Sequence, residues 1–214
     1  MLKRLITFAV VILTLSACQS AYYSAMEKVG FHKRDILVDR VEEAKDTQEE
    51  TKEQFKSALE KFQSVRQFDG GKLEEVYNSL NDEYESSLAL SNEITSRIKS
   101  IENVSEALFE EWSTELEQIS NTSMRQKSNE QLLQTKREYN KLIRAMKKAE
   151  SSVKPVLTIF KDQVLFLKHN LNARAIASLK NELGTVDSDV NALLSAMQQA
   201  INESNAFIDE LRGG

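Results

Sequence analysis

Proline and cysteine each occur once in this 214-residue chain, histidine twice and glycine six times. Average usage would put glycine near 7% and proline near 5%, and two of the six glycines are the terminal pair Gly213-Gly214. A backbone so short of breakers has few places to turn. No stretch alternates apolar and polar residues between turn signals, which excludes sheet architectures. The lone cysteine excludes an internal disulfide and a multi-thiolate metal site. Neither histidine stands in a Glu-x-x-His or His-x-x-x-His spacing, so the sequence offers no zinc or di-iron ligand pattern. Glycine-rich phosphate loops and Gly-x-Ser-x-Gly elbows are also missing.

Glu, Lys, Gln, Ser, Leu and Ala fill the chain instead, a helix-forming composition. The first residues set the compartment. Lys3-Arg4 is a short positive head, Leu5 to Leu15 a run that is apolar apart from Thr7 and Thr14, and Ser16-Ala17 a pair of small residues. That order is a secretory signal peptide. The run is too short for a bilayer-spanning helix, which takes about 20 residues.

The Leu15-Ser16-Ala17-Cys18 ending resembles a bacterial lipobox. The resemblance implies a diacylglyceryl thioether on the Cys18 thiol, cleavage between Ala17 and Cys18, and acylation of the new amine. Several acyl chains anchor stably where one binds only marginally. Gln19 after the cysteine, where Asp would hold a lipoprotein at the inner membrane, implies sorting to the outer membrane, facing the periplasm. Residues 1–17 are thus expected to be the signal peptide. Residues 18–32 would carry the lipid, a tether and a short lead-in helix ending near Gly30. Tyr22 and Tyr23 could lie at the bilayer interface or begin that helix.

Without Lys3 and Arg4, the 28 basic residues fall to about 26 against 33 acidic ones, so the processed chain carries about −7 where the full chain carries −5. An acidic body lacks the electrostatic footprint of a nucleic-acid or anionic-lipid binder.

From residue 33 the apolar residues keep a seven-residue period. The first seam is Leu37, Val41, Ala44, Gln48, Thr51, Phe55, Ala58, Phe62, Val65, and Asp69-Gly70-Gly71 should stop it. The second runs from Leu73 through Tyr77, Leu80, Tyr84, Ser87, Ser91, Ile94, Ile98, Ile101, Ser105, Leu108, Trp112 and Glu115 to Ile119. Asn103 and Glu106 form a capping pair inside it, but the unbroken phase favours one helix. The third reads Ser128, Leu132, Thr135, Tyr139, Leu142, Met146, Ala149, Val153, Val156, Phe160, Gln163, Leu167, with Pro155 inside; the phase again favours one helix, kinked at the proline. Ile176, Leu179, Leu183, Val186, Val190, Leu193, Met197, Ala200, Ser204, Phe207 and Leu211 form the fourth.

These seams predict an all-α protein. Its expected form is an elongated antiparallel coiled-coil bundle of three to four long helices over 33–212, at about 34–68, 72–120, 124–169 and 173–211. Gln48, Thr51, Ser87, Ser91, Thr135 and Gln163 interrupt the seams; they either specify register or face solvent at a loosely packed waist. Glu42–Lys45, Glu49–Lys52 and Glu53–Lys56 are spaced for i, i+3 pairing on an outer face.

Chemistry-bearing residues are few. His32 and His169 read as solvated surface histidines. Glu115, on a seam beside Trp112, is either a functional carboxyl or a seam end open to water. Trp112, Tyr77, Tyr84 and Tyr139 fall on seams and read as core. The stretch Val156 to Leu167 is apolar around most of the helix, which predicts central burial or an exposed patch for a partner.

The run AYYSAMEKVGFHKRDILVDRVEEAKD, Ala21 to Asp46, directly after the lipobox, resembles a family of uncharacterised proteobacterial lipoproteins filed under a domain of unknown function. The resemblance supports the lipoprotein reading and implies no activity, cofactor or catalytic residue. The expected function is a non-enzymatic, lipid-anchored envelope protein acting as a helical spacer or protein-binding adaptor. It would bind an envelope protein partner, no nucleic acid and no evident small-molecule substrate or cofactor. The alternative is a self-assembling membrane-associated scaffold that works as a homo-oligomer. A metal-dependent hydrolase is the remote third reading.

Overall fold

The computed structural model describes the backbone of residues 32–65, 72–170 and 173–213, and their side chains except those of 173–185. The signal peptide, Ala17, Cys18, Gln19, the tether with its tyrosines and the Asp69-Gly70-Gly71 stop lie outside the described residues. Four helices make up the described chain: α1 (Lys33–Ser64), α2 (Leu73–Gln118), α3 (Thr122–His169) and α4 (Ala173–Gly213).

Local chemistry sets several of these ends. Asn121 caps α3, its Oδ1 accepting the Met124 backbone N–H at 3.0 Å, which satisfies one of the orphan donors of a first turn. Glu74 and Glu75 open α2, while Lys168 and His169 close α3; each sign suits the end of the helix dipole it meets. Within α2 the Asn103–Glu106 pair makes no break, and α3 runs through Pro155. Pro155 and Ser151 are both exposed, so the Ser151 carbonyl that loses its i+4 donor lies on the wet face of the helix, where water can replace it.

The helices pack as a ring in which α1 meets α2, α2 meets α3, α3 meets α4 and α4 returns to α1. Every seam residue of α1 from Leu37 to Val65 is buried, as is every seam residue of α4 from Val186 to Leu211. The diagonal pair α1 and α3 meets through aromatic rings. Phe62 stacks on Phe160 with centroids 4.3 Å apart, and Phe55 stacks on Phe160 from 6.1 Å.

The outer faces differ from the expected i, i+3 pairing. Glu53–Lys56 forms at 3.7 Å. Glu42 instead reaches across to Arg212 at 2.9 Å, and Lys52 donates to Gln198 Oε1 at 2.8 Å. Neighbouring helices compete for these charges, and an exposed intrahelical pair contributes only a few tenths of a kcal/mol.

Candidate functional site

Three places in the bundle concentrate polar chemistry or exposed apolar surface. The first is the end where α1 begins and α4 stops. Lys33 is buried to 8% exposure, and its Nζ lies 2.8 Å from Glu111 Oε1. Arg34 donates to the Leu211 carbonyl oxygen. Trp112 donates from Nε1 to Ser128 Oγ at 2.9 Å, which joins α2 to α3. Between these contacts lies a cavity of about 720 Å³, with Leu108, Trp112 and Leu211 as its apolar lining and Arg34, Glu115 and Asp209 among its charged lining. Glu115 is exposed there, as a seam end open to water would be.

The second place is the polar interior. Gln48, Ser87 and Gln163 are 1%, 0% and 5% exposed, and the amide atoms of both glutamines and the Ser87 hydroxyl have no hydrogen-bond partner among the described residues. These side chains are buried in the core, which removes the solvent-facing waist as an account of them. Three other buried hydroxyls turn back on their own helices. Thr51 donates to the Thr47 carbonyl at 2.6 Å, Thr47 to Glu43 at 3.0 Å, and Ser204 to Ala200 at 2.8 Å. A short hydroxyl reaches the carbonyl one turn back; a glutamine amide has two donors and an acceptor to satisfy, which one helix cannot supply. Glu43 bonds Arg97 and Gln54 bonds Glu83. Gln48, midway between Glu43 and Gln54, is therefore level with α2 near Ser91.

The third place is the far end of α3. Val156, Leu157, Phe160, Val164 and Leu167 are buried, but Leu165 and Phe166 are 42% and 40% exposed. The apolar stretch is thus split: most of it fills the core, and two large side chains face out.

Tyr139 sits on its seam against Phe109 (5.4 Å, edge-on) and Phe207 (6.4 Å). Burial is the main cause that holds its phenol above the usual value of 10.0, opposed by a hydrogen bond with Ser105. A raised folded-state pKa means that the unfolded chain gives up its proton first. The associated stability is present below pH 10 and is lost as pH rises through the folded value. Tyr139→Phe is therefore expected to flatten the alkaline fall in stability above pH 10, checked by urea unfolding across pH 8–11 beside the parent chain.

His32 is the exposed N-cap of α1 without a side-chain cap bond, and His169 is exposed in the last turn of α3. The structure brings neither of them to a carboxylate cluster, and among the described residues no group of three or more His, Cys, Asp or Glu is placed to hold a metal ion. No described helix is long and apolar enough to cross a membrane. Sequence reasoning missed the cavity because four helices contribute to it; the only signal was Glu115 breaking the seam beside Trp112.

The fold and these three places define a long-helix bundle with a buried polar interior and a charged cavity at one end. The chain belongs to the family described as "Protein of unknown function (DUF2959)", whose model matches residues 22–211. No curated protein and no solved structure matches it.

Proposed function

We propose that this chain is a non-enzymatic lipoprotein, anchored through Cys18 in the outer membrane and facing the periplasm, that acts as a helical spacer or adaptor for an envelope protein. The observation that carries this reading is one of placement. The lipobox cysteine stands about fifteen residues before a bundle whose longest helix has 48 residues, about 70 Å at 1.5 Å per residue.

The bundle is read as an elongated, antiparallel four-helix coiled coil. The bonds Lys33–Glu111, Glu43–Arg97 and Gln54–Glu83 run in opposite senses along α1 and α2, and Glu42–Arg212 and Gln63–Asp187 do the same for α1 and α4. On this reading the start of α1 lies at one end of the rod, and a lipid on Cys18 would tether that end. Leu165 and Phe166 stand near the other. A pair of exposed apolar side chains held away from the bilayer suits contact with a protein.

In-cell crosslinking with mass spectrometry tests the reading, run on the anchored protein beside Cys18→Ala and Leu165→Asp/Phe166→Asp forms. A single reproducible partner, lost with the anchor and with the apolar pair, is the expected result. Crosslinks only between copies of this chain would replace the adaptor with the self-assembling scaffold. Failure of Cys18→Ala to leave the membrane fraction would remove the anchor.

A further inference from the structure

We propose that the cavity at the start of α1 is the seat of residues 22–31 of this same chain, which dock across it and fasten the tether to the bundle. This goes beyond the anchoring reading and does not depend on it, because the docking partner is the polypeptide and not the lipid.

Three observations converge. The family model begins at residue 22, ten residues ahead of the first described residue, so the related unit includes a segment that the four helices do not account for. The segment runs directly into His32, the N-cap of α1, and Arg34 two residues on lines the cavity. Ten residues span about 15 Å as a helix and about 35 Å extended, which confines them to this end of the rod. Its chemistry also matches the lining. Tyr22, Met26 and Val29 recur at i, i+4 and i+7, the spacing of one apolar helix face, opposite Leu108, Trp112 and Leu211. Lys28 is its one cation. Glu115 and Asp209 on the cavity wall are exposed and make no ion pair among the described residues, whereas Glu111 is engaged by Lys33. Glu27 is the segment's one acid, and Arg34 at the wall is its counterpart.

Trp112 is the only tryptophan in the chain and lines this cavity, so its fluorescence reports occupancy. The experiment uses the processed chain with Cys18→Ser, without lipid or thiol. Met26→Asp/Val29→Asp is expected to shift Trp112 emission to the red and to raise its acrylamide quenching constant about twofold, with helix content unchanged by circular dichroism. Glu115→Lys/Asp209→Lys should move quenching in the same direction. Quenching that ignores the segment substitutions overturns the proposal.

A second measurement keeps the test independent of local unfolding at Trp112. Met26→Cys with Ala206→Cys, in the Cys18→Ser chain, should oxidise to an intramolecular disulfide at micromolar protein. Only intermolecular disulfide would make a second copy the occupant and overturn the assignment. So would binding of the segment to phosphatidylethanolamine–phosphatidylglycerol vesicles with Trp112 equally accessible in parent and Met26→Asp/Val29→Asp chains, which would give the segment to the bilayer.

Discussion

Phe160→Ala is expected to lower the unfolding free energy by about 3–5 kcal/mol, the range for truncating a fully buried aromatic. Phe160 has no exposed surface, and its ring is stacked from one side by Phe62 at 4.3 Å and approached by Phe55 at 6.1 Å. These three rings join the diagonal helices α1 and α3, which no other aromatic pair among the described residues connects. The substitution removes apolar surface, leaves a cavity and ends both stacking contacts, and stacking adds about 0.5–1.5 kcal/mol per pair beyond area. Urea unfolding followed by far-UV circular dichroism measures the loss. Leu165→Ala, on the exposed side of the same helix, is the control and should stay within about 0.5 kcal/mol. Equal effects at the two positions would mean that the diagonal contact does not hold the bundle.

The opposite sign is expected at the buried glutamines. Gln48→Met and Gln163→Met should each raise stability by about 1–3 kcal/mol, since a buried polar group without a partner carries roughly that desolvation cost. Methionine keeps an unbranched side chain of similar volume and fits irregular gaps, so packing changes little. Both amides are buried and have no hydrogen-bond partner among the described residues. Chemical unfolding gives the sign. A fall in stability would show that the amides have partners whose removal matters more than their burial. Polar residues in a coiled-coil seam can also fix register at the cost of stability. Sedimentation of the double substitution tests that role, with a monomer for the parent and mixed species for Gln48→Met/Gln163→Met as the expected contrast.

The all-α bundle was legible because the seven-residue period ties a residue's position to its burial. Phe55, Ile98, Met146 and Val190 were placed inside by phase alone, and all four are buried. Phase also carried the reading across Asn103 and Pro155, where local signals argued for breaks. It failed where the period says nothing about neighbours. Glu42 and Lys52 face partners on α4 that i, i+3 spacing cannot anticipate. The polar interruptions could be located but not interpreted, because whether Gln48 is wet or dry depends on three other helices. Leu165 and Phe166 show the converse limit: a helix apolar on most sides reads as central until the fourth side is seen to be open. The cavity at the start of α1 was not legible as a site, since its walls come from residues as distant as Arg34 and Asp209.

The ring of helices closes between the first and the last. Arg34 donates to the carbonyl of Leu211, and Glu42 pairs with Arg212, so the earliest residues of the bundle wait for nearly the latest. A chain that emerges amino end first, from a ribosome or through a membrane pore, holds α1 with one flank bare until α4 has followed. Closure of the ring thus waits on its last helix, and the bare flank of α1 is the surface that a holding chaperone would meet in the interval.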